Sequence, residues 1–417
     1  MNILVFNPGG HSLKVELICA GEHQARASEG TKLLSLSIEG IGSEHTTLAR
    51  FHGKKVVEST PIQAADLEQA VQHIFSLIEE HATDKLPRLE EIEAVGLRVV
   101  HGGPHLVKPV IVDAEVEHEI EAQEKLAPLH NKSSIEVLGP IRSRLRNVPI
   151  VAVFDSAFHH DLPEYAALYP LPLELSRKHG IRRYGFHGIS HSWMLHRYAE
   201  LTGRAPEDCN LVTMHLESGC SVTAIHKGRS IDNTMGLTPL EGLMMGTRCG
   251  DIDPAILPFL VREEQLSLDE VMEILNHKSG LQGVSGSSLD TRVLMQHYYE
   301  DPRARLAMDM FCYRVRKAVG AHLAALGEAD AVVFGGGIAE NTPLLRTRVA
   351  DGLRPSGFVL DELANHTLID LEGRVAGEGS SLDAWVIPVE EGLEIAHAVV
   401  AAVAVPSVHT EGAIPHA

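Results

Sequence analysis

The chain runs through one order of elements twice. In the first half, Ile3–Phe6 is a short apolar run fit for a buried strand, stopped by the turn residues Asn7-Pro8-Gly9-Gly10. Val15–Ile18 reads as the returning strand of a hairpin. Residues 66–82 carry helical spacing, with Leu67, Ala70, Val71, Ile74, Phe75 and Ile78 on one side. Ala94–Val100 is a strand run ending in His101-Gly102-Gly103, and Ile150–Phe154 is another, ending at Asp155. The second half restates this order. Leu211–Met214, the small-residue turn Ser218-Gly219-Cys220-Ser221 and Val222–Ile225 form a second hairpin signal. Residues 304–326 are helical, with Leu306, Met310, Val315, Val319 and Leu323 on an approximate face, and Ala331–Phe334 ends in Gly335-Gly336-Gly337. A duplication at so long a period predicts two α/β halves facing each other, with both turns and both glycine ends at one cleft.

Charge and cysteine usage narrow the function. The 417 residues include 36 Lys+Arg against 56 Asp+Glu, a net charge of −20. That balance argues against nucleic acid or an anionic membrane as the main partner, because both need a basic face. The five cysteines are scattered with no CxxC pair, which fits a reducing compartment rather than a disulfide framework or a zinc site. The N-terminal apolar run is too short for a signal peptide, and Ala396–Val405 falls short of the roughly 20 residues a membrane span needs. The cytoplasm is the expected compartment.

The motifs suggest a cleft that handles anions. Asn7-Pro8-Gly9-Gly10-His11-Ser12-Leu13-Lys14 offers backbone N–H groups and a cation, but it is not a GxxxxGK[ST] loop; an ordinary hairpin turn reads equally well. Gly335-Gly336-Gly337-Ile338-Ala339-Glu340-Asn341 follows a strand and opens toward a helix, which suits a nucleotide or tight strand–helix packing. Arg98 sits inside an apolar strand, where a guanidinium needs a partner, and Arg248 lies in a glycine-flanked loop. Their forks match carboxylate and phosphate oxygens; the alternative is a structural ion pair. His187, between Phe186 and Gly188, is a candidate positioned donor, and Asp155 a candidate orienting carboxylate. Glu390-Glu391 is either a Mg²⁺ site or a charge pair at a helix start. With no GxSxG, no HExxH and no spaced Cys/His set, this kit points to phosphoryl transfer.

Longer runs carry a family resemblance. Ile181-Arg182-Arg183-Tyr184-Gly185-Phe186-His187-Gly188, the run from Thr234 through Arg248, Gly250-Asp251-Ile252-Asp253-Pro254, Arg98-Val99-Val100-His101-Gly102-Gly103, Ala127-Pro128-Leu129-His130-Asn131 and Phe154-Asp155-Ser156-Ala157-Phe158-His159 all resemble the acetate kinase family. The likeness extends from residue 1 to about residue 400. It implies an α/β fold: the duplicated two-domain acetate and sugar kinase, heat-shock ATPase and actin superfamily, ribonuclease H-like. Residues 1–154 with 393–417 would form the acid-binding domain and 155–392 the nucleotide-binding domain. It implies a homodimer, Mg²⁺ (or Mn²⁺) and ATP/ADP, acting on a small carboxylic acid.

By the same resemblance, Arg98 and Arg248 would grip the acid and the transferring phosphoryl group. Asp155 would orient the arginines or metal, and His187 would stabilise the equatorial oxygens. Asn7 and Glu391 would serve the metal. Lys14, His215, Ser218, Gly219, Asp290, Arg292, Gly336, Gly337, Ile338 and Asn341 would serve the nucleotide. Val100, Leu129, Phe186 and Pro239 would form the acyl pocket, sized for acetate, with propionate next. Removing either arginine is expected to cut turnover without unfolding the chain. The sequence departs from the family in its phosphate loops. Gly10 and His11 stand where serines are usual, and His-Leu-Gly-Asn-Gly becomes His215-Leu216-Glu217-Ser218-Gly219. Those changes leave two alternatives open: an altered donor such as pyrophosphate, and a non-catalytic sensor of nucleotide or acyl phosphate.

Overall fold

A computed structural model of the chain describes residues 1–21, 29–80, 86–124 and 131–404. Two sheets carry the fold. In the first, β1 (Asn2–Pro8) and β2 (Ser12–Cys19) form the expected hairpin and β3 (Thr31–Glu39) extends it. The chain continues through β4 (Thr47–His52), β5 (Lys55–Pro61), β6 (Ala94–Val99), β7 (Val110–Ile111) and β8 (Ile150–Phe154). Their order across the sheet is β5-β4-β3-β2-β1-β6-β8-β7. The second sheet comprises β9 (Leu211–Leu216), β10 (Cys220–His226), β11 (Arg229–Asn233), β12 (Ala331–Gly335), β13 (Gly373–Arg374) and β14 (Asp383–Val386), in the order β11-β10-β9-β12-β14-β13.

The two orders match strand for strand. In each sheet the first three strands run antiparallel, the next two add in parallel, and a two-residue strand closes the far edge. Only β4 and β5 are extra. The duplicated α/β arrangement expected from the sequence is therefore the one observed.

Period-2 alternation explains how the halves join. On β1, Leu4 and Phe6 face the outer core of the first sheet, while Ile3 and Val5 face a shared inner core. On β12, Val332 and Phe334 face outward, and Ala331 and Val333 face the same inner core. Two helices fill the space between, Gly188–Thr202 with Trp193 and Met194, and Glu391–Ala404 with Ile395 and Val399. Gly96 on β6 lets the second of these approach, since a Cβ there would lie 2.6 Å from Ile395. That helix also packs on β1 and β8. The extra hairpin β4–β5 ties the halves at another point. Lys54 at its tip pairs with Glu340 and Asp370, each at 2.6 Å.

The helix Pro302–Leu326 corrects one face. Val315 and Val319 are buried as expected, but Leu306 is exposed; the buried side runs through Ala304, Ala307, Met308, Phe311, Cys312 and His322. The buried side faces β10, β9 and the Gly280–Ser285 helix, and Leu306 lies on the opposite, solvent side. Among the described residues no helix is long and apolar enough to cross a membrane.

Candidate active site

Parallel strands deliver side chains at their C-terminal ends, where open α/β sheets bind ligands. In the first sheet β1 presents Asn7, the neighbouring β6 presents Arg98, and Asp155 follows β8. In the second, β9 presents His215, β12 ends at Gly335, and Glu391 follows β14 at a helix start. The two sets meet. Arg98 Nε donates to both oxygens of Asp155 (3.0 and 3.1 Å), Nη2 donates to Oδ2 (2.6 Å), and Nη1 donates to Asn7 Oδ1 (2.9 Å). The Asn7 amide donates to Glu391 Oε2 at 3.0 Å, Ser190 Oγ donates to Oε1 at 2.6 Å, and Arg98 Nη1 stands 3.5 Å from Oε2.

Charge in this cluster follows from its geometry. Burial works to raise the Glu391 carboxyl, but Arg98, His215, the Ser190 hydroxyl and Lys14 outweigh it and hold the pKa at about 2. Burial raises the Asp155 carboxyl against the pull of Arg98, and Asp155 is only 1% exposed. Arg248 is placed differently. Its Nη1 donates to the Pro239 carbonyl at 2.7 Å, and among the described residues no carboxylate pairs with it. Burial lowers its pKa, yet an arginine stays charged at neutral pH.

His187 lies between the arginines. It caps the Gly188–Thr202 helix with φ of 57°, a left-handed conformation costly for a side-chain-bearing residue. Burial first, then the neighbouring His215 ring, Arg98, His191 and Arg248, push its pKa well below the ordinary value, so the ring is neutral. Gly219 leaves the ring room: a Cβ there would sit 3.1 Å from His187 Nε2 and 3.3 Å from Arg248 Nη2. Next to it, Gly336 adopts φ of 82° because a Cβ would press within 2.6 Å of the Leu216 backbone. The buried Glu340 carboxylate holds that turn by accepting from Gly336 N (2.8 Å) and Val389 N (3.0 Å).

The remaining candidates fall into place unevenly. Lys14 is exposed and pairs in register with Asn7 across the hairpin. The His215 ring lies 4.3 Å from that of His187, and among the described residues its buried Nδ1 has no hydrogen-bond partner. The Ser218 carbonyl accepts from Gly246 N, joining its turn to the Arg248 loop. Gly337 and Ile338 lie in the helix Gly337–Asn341, whose Asn341 amide donates back to the Gly337 carbonyl at 3.0 Å. Asp290 and Arg292 satisfy each other: Asp290 caps the Thr291–Gln296 helix and takes the Arg292 fork, and Arg292 is exposed. Val100 packs against the core that buries Phe186. Leu129 lies outside the described residues. His11, standing where a serine is usual, has its ring Nδ1 3.3 Å from the Ile41 carbonyl.

Ser190, His191, Thr213 and Ser221 escaped the sequence reading. For Ser190 and His191 a signal existed, because positions three and four after His187 share its face of a helix. Thr213 and Ser221 had none, since strand pairing brings them in. Among the described residues no three His, Cys, Asp or Glu side chains converge as a ready metal cage. One ionised carboxylate beside an amide still fits Mg²⁺, which keeps several waters and takes its other ligands from phosphates.

Comparison with known proteins agrees with this geometry. The model of the acetokinase family matches residues 2–397. The acetate kinase of Chloroherpeton thalassium is 43% identical over 408 residues, covering 95% of this chain and 97% of that protein. That of Solibacter usitatus is 42% identical over 402 residues, with the same coverage. The crystal structure of Porphyromonas gingivalis acetate kinase matches with a TM-score of 0.86 at 35% identity, covering 96% of this chain and 99% of that one. A propionate kinase from Francisella tularensis matches with a TM-score of 0.86 at 34% identity, covering 95% and 98%. A duplicated fold, an arginine-lined cleft and likeness along nearly the whole length have one reading: the chain belongs to the acetokinase family.

Proposed function

We propose that the chain is an acetate kinase, moving the γ-phosphoryl group of ATP directly to the acetate carboxylate to give acetyl phosphate and ADP, reversibly. The observation that carries this is Arg248, a partly buried cation with no carboxylate partner among the described residues, flanking Gly219 opposite the neutral His187. Such a cation is unfavourable alone and becomes favourable once an anion fills the cleft. Phosphoryl transfer to a carboxylate brings two anions together, and positioned positive charge offsets their repulsion. Arg98, locked by Asp155 and Asn7, fixes one side of the reacting pair; Arg248 and His187 Nε2 serve the other. Asn7 and Glu391 would hold Mg²⁺, which would supply neutralising charge for the phosphates. Val100, Phe186 and Pro239 would line the acyl pocket. A methylene there is worth about 1–3 kcal/mol, so propionate is a slower substrate.

Acyl phosphate formation with Mg·ATP, trapped with hydroxylamine across acetate, propionate and butyrate, tests the reading. Turnover in the order acetate, propionate, butyrate is expected. ATP binding without turnover would establish a sensor instead, and turnover with pyrophosphate but not ATP an altered donor.

Glu217 gives a second expectation. It is half exposed, lies 3.7 Å from His215 Nε2, and stands 3.9 Å from where a Gly337 Cβ would be, at the seam of both phosphate loops. Like charge repels nucleotide phosphates, weakly because water screens it. Glu217→Gly is expected to lower the KM for Mg·ATP by about two- to fivefold, matching the ~0.5–1 kcal/mol of an exposed charge pair, with the effect fading in high salt. A raised KM would instead mark Glu217 as a group the nucleotide's cation uses.

The protein is proposed to act as a homodimer. The helix Ile256–Glu263 buries none of its residues and exposes Ile256 and Phe259, and Leu268 nearby is also exposed. Light scattering giving the monomer mass would contradict it.

A further inference from the structure

Resting on the role given to His187, we propose that Thr213, His191 and Ser221 form a one-way chain of hydrogen bonds that keeps His187 in the tautomer with its proton on Nε2, facing the cleft. The atoms are in line. Thr213 Oγ1 lies 2.7 Å from His191 Nδ1, His191 Nε2 lies 2.8 Å from Ser221 Oγ, and Ser221 Oγ lies 2.9 Å from His187 Nδ1. His191, Thr213 and Ser221 are fully buried, and those contacts are the side-chain hydrogen bonds found for them among the described residues. A neutral imidazole has one N–H and one lone pair, and the bond made by one nitrogen sets the state of the other.

Only one polarity suits an anion. With the proton on His187 Nδ1, its Nε2 lone pair would point at the phosphoryl oxygens and repel them. With Nδ1 accepting from the Ser221 hydroxyl, Nε2 carries the proton and donates to those oxygens. Ser221 then accepts from His191 Nε2–H, and His191 Nδ1 accepts from the Thr213 hydroxyl. A doubly protonated His187 is opposed by its burial and by the charges of Arg98 and Arg248 nearby. The neighbouring His159 is fixed in the same sense. Its Nε2 lies 3.1 Å from the Phe186 carbonyl, which can only accept, so its Nδ1 accepts from Ser230 at 2.7 Å. This anchors the backbone beside His187 without joining the chain. Thr213, His191 and Ser221 are thus positioning residues, acting on the reaction through His187.

The test combines kinetics with nitrogen NMR of ¹⁵N-histidine-labelled protein, the His187 signals being identified by their loss in His187→Asn. Thr213→Val keeps the side-chain shape and removes the hydroxyl; Thr213→Ser restores it. Wild type is expected to show His187 protonated on Nε2. Thr213→Val and Ser221→Ala should each mix the tautomers and lower kcat on the order of 10- to 100-fold, the range for groups that orient a functional imidazole. The KM for ATP should stay within about twofold, and Thr213→Ser should recover most of kcat. An unchanged His187 tautomer in both variants, or equal losses in Thr213→Val and Thr213→Ser, overturns the proposal. Wild-type protein lacking turnover but holding the Nε2 tautomer would instead refute the kinase reading and leave the chain of bonds standing.

Discussion

Arg248→Ala is expected to lower kcat on acetate about 10²–10³-fold while leaving the unfolding midpoint unchanged or raised. The two halves of that result have one cause. Among the described residues one hydrogen bond, to the Pro239 carbonyl, holds the Arg248 guanidinium, on a loop fixed by Met245 N donating to the Arg248 carbonyl and by Cys249 N donating to the Leu275 carbonyl. Its charge is desolvated with no carboxylate among those residues to offset it, and that desolvation lowers its pKa. Removing it relieves the folded state and strips the cleft of a preorganised cation. A trade of stability for function is expected where a site holds a group for its ligand rather than for the fold. Arg248→Lys should recover little, because an ammonium cannot reproduce the two-point grip of a guanidinium. Steady-state rates within threefold of wild type would remove Arg248 from the reaction, and a midpoint several degrees lower would show that it supports the fold.

Arg98→Ala is expected to lose comparable turnover and about 3–5 kcal/mol of stability as well. Here the sequence-based expectation of an intact fold changes. Asp155 is buried, and the Arg98 fork neutralises it; without the guanidinium a buried carboxylate is left uncompensated. Glu391 loses its largest favourable charge at the same time. Folding and function separate in a cycle. Arg98→Met with Asp155→Leu should regain most of the stability, because a buried pair is often replaceable by apolar groups, and should remain inactive. Denaturant melts and hydroxamate assays on the two single variants and the double variant check both halves. Recovery of activity in the double variant would mean that the pair serves only the fold.

The sequence carried much of the fold because its signals are local. β1, β2, β8, β9, β10 and β12 include the runs read from it, and β6 covers its run up to Val99, since a buried strand is a short apolar stretch ended by a turn. The strands β4 and β5 at one end of the first sheet went unread. Every residue of β5 is exposed, so it carries no apolar pattern, and its pairing shows only in the sheet. The face of the Pro302–Leu326 helix was misread at Leu306 for a related reason. Bulk alone does not predict burial: the helix turns Ala304 and Ala307 inward and Leu306 to solvent.

By itself, the sequence determined that the chain folds as a duplicated α/β pair, which residues could carry anion chemistry, and which family it resembles. Residue type and short-range spacing suffice for that. The tertiary structure alone decided how each arginine is used. Arg98 and Asp155 are 57 positions apart, and Asn7 and Glu391 are 384 apart, yet they meet in one cluster. Arg248, read as Arg98's equal, has no carboxylate partner among the described residues. Whether a buried charge is compensated depends on the strands and helices packed around it, and no local stretch of sequence encodes those distances.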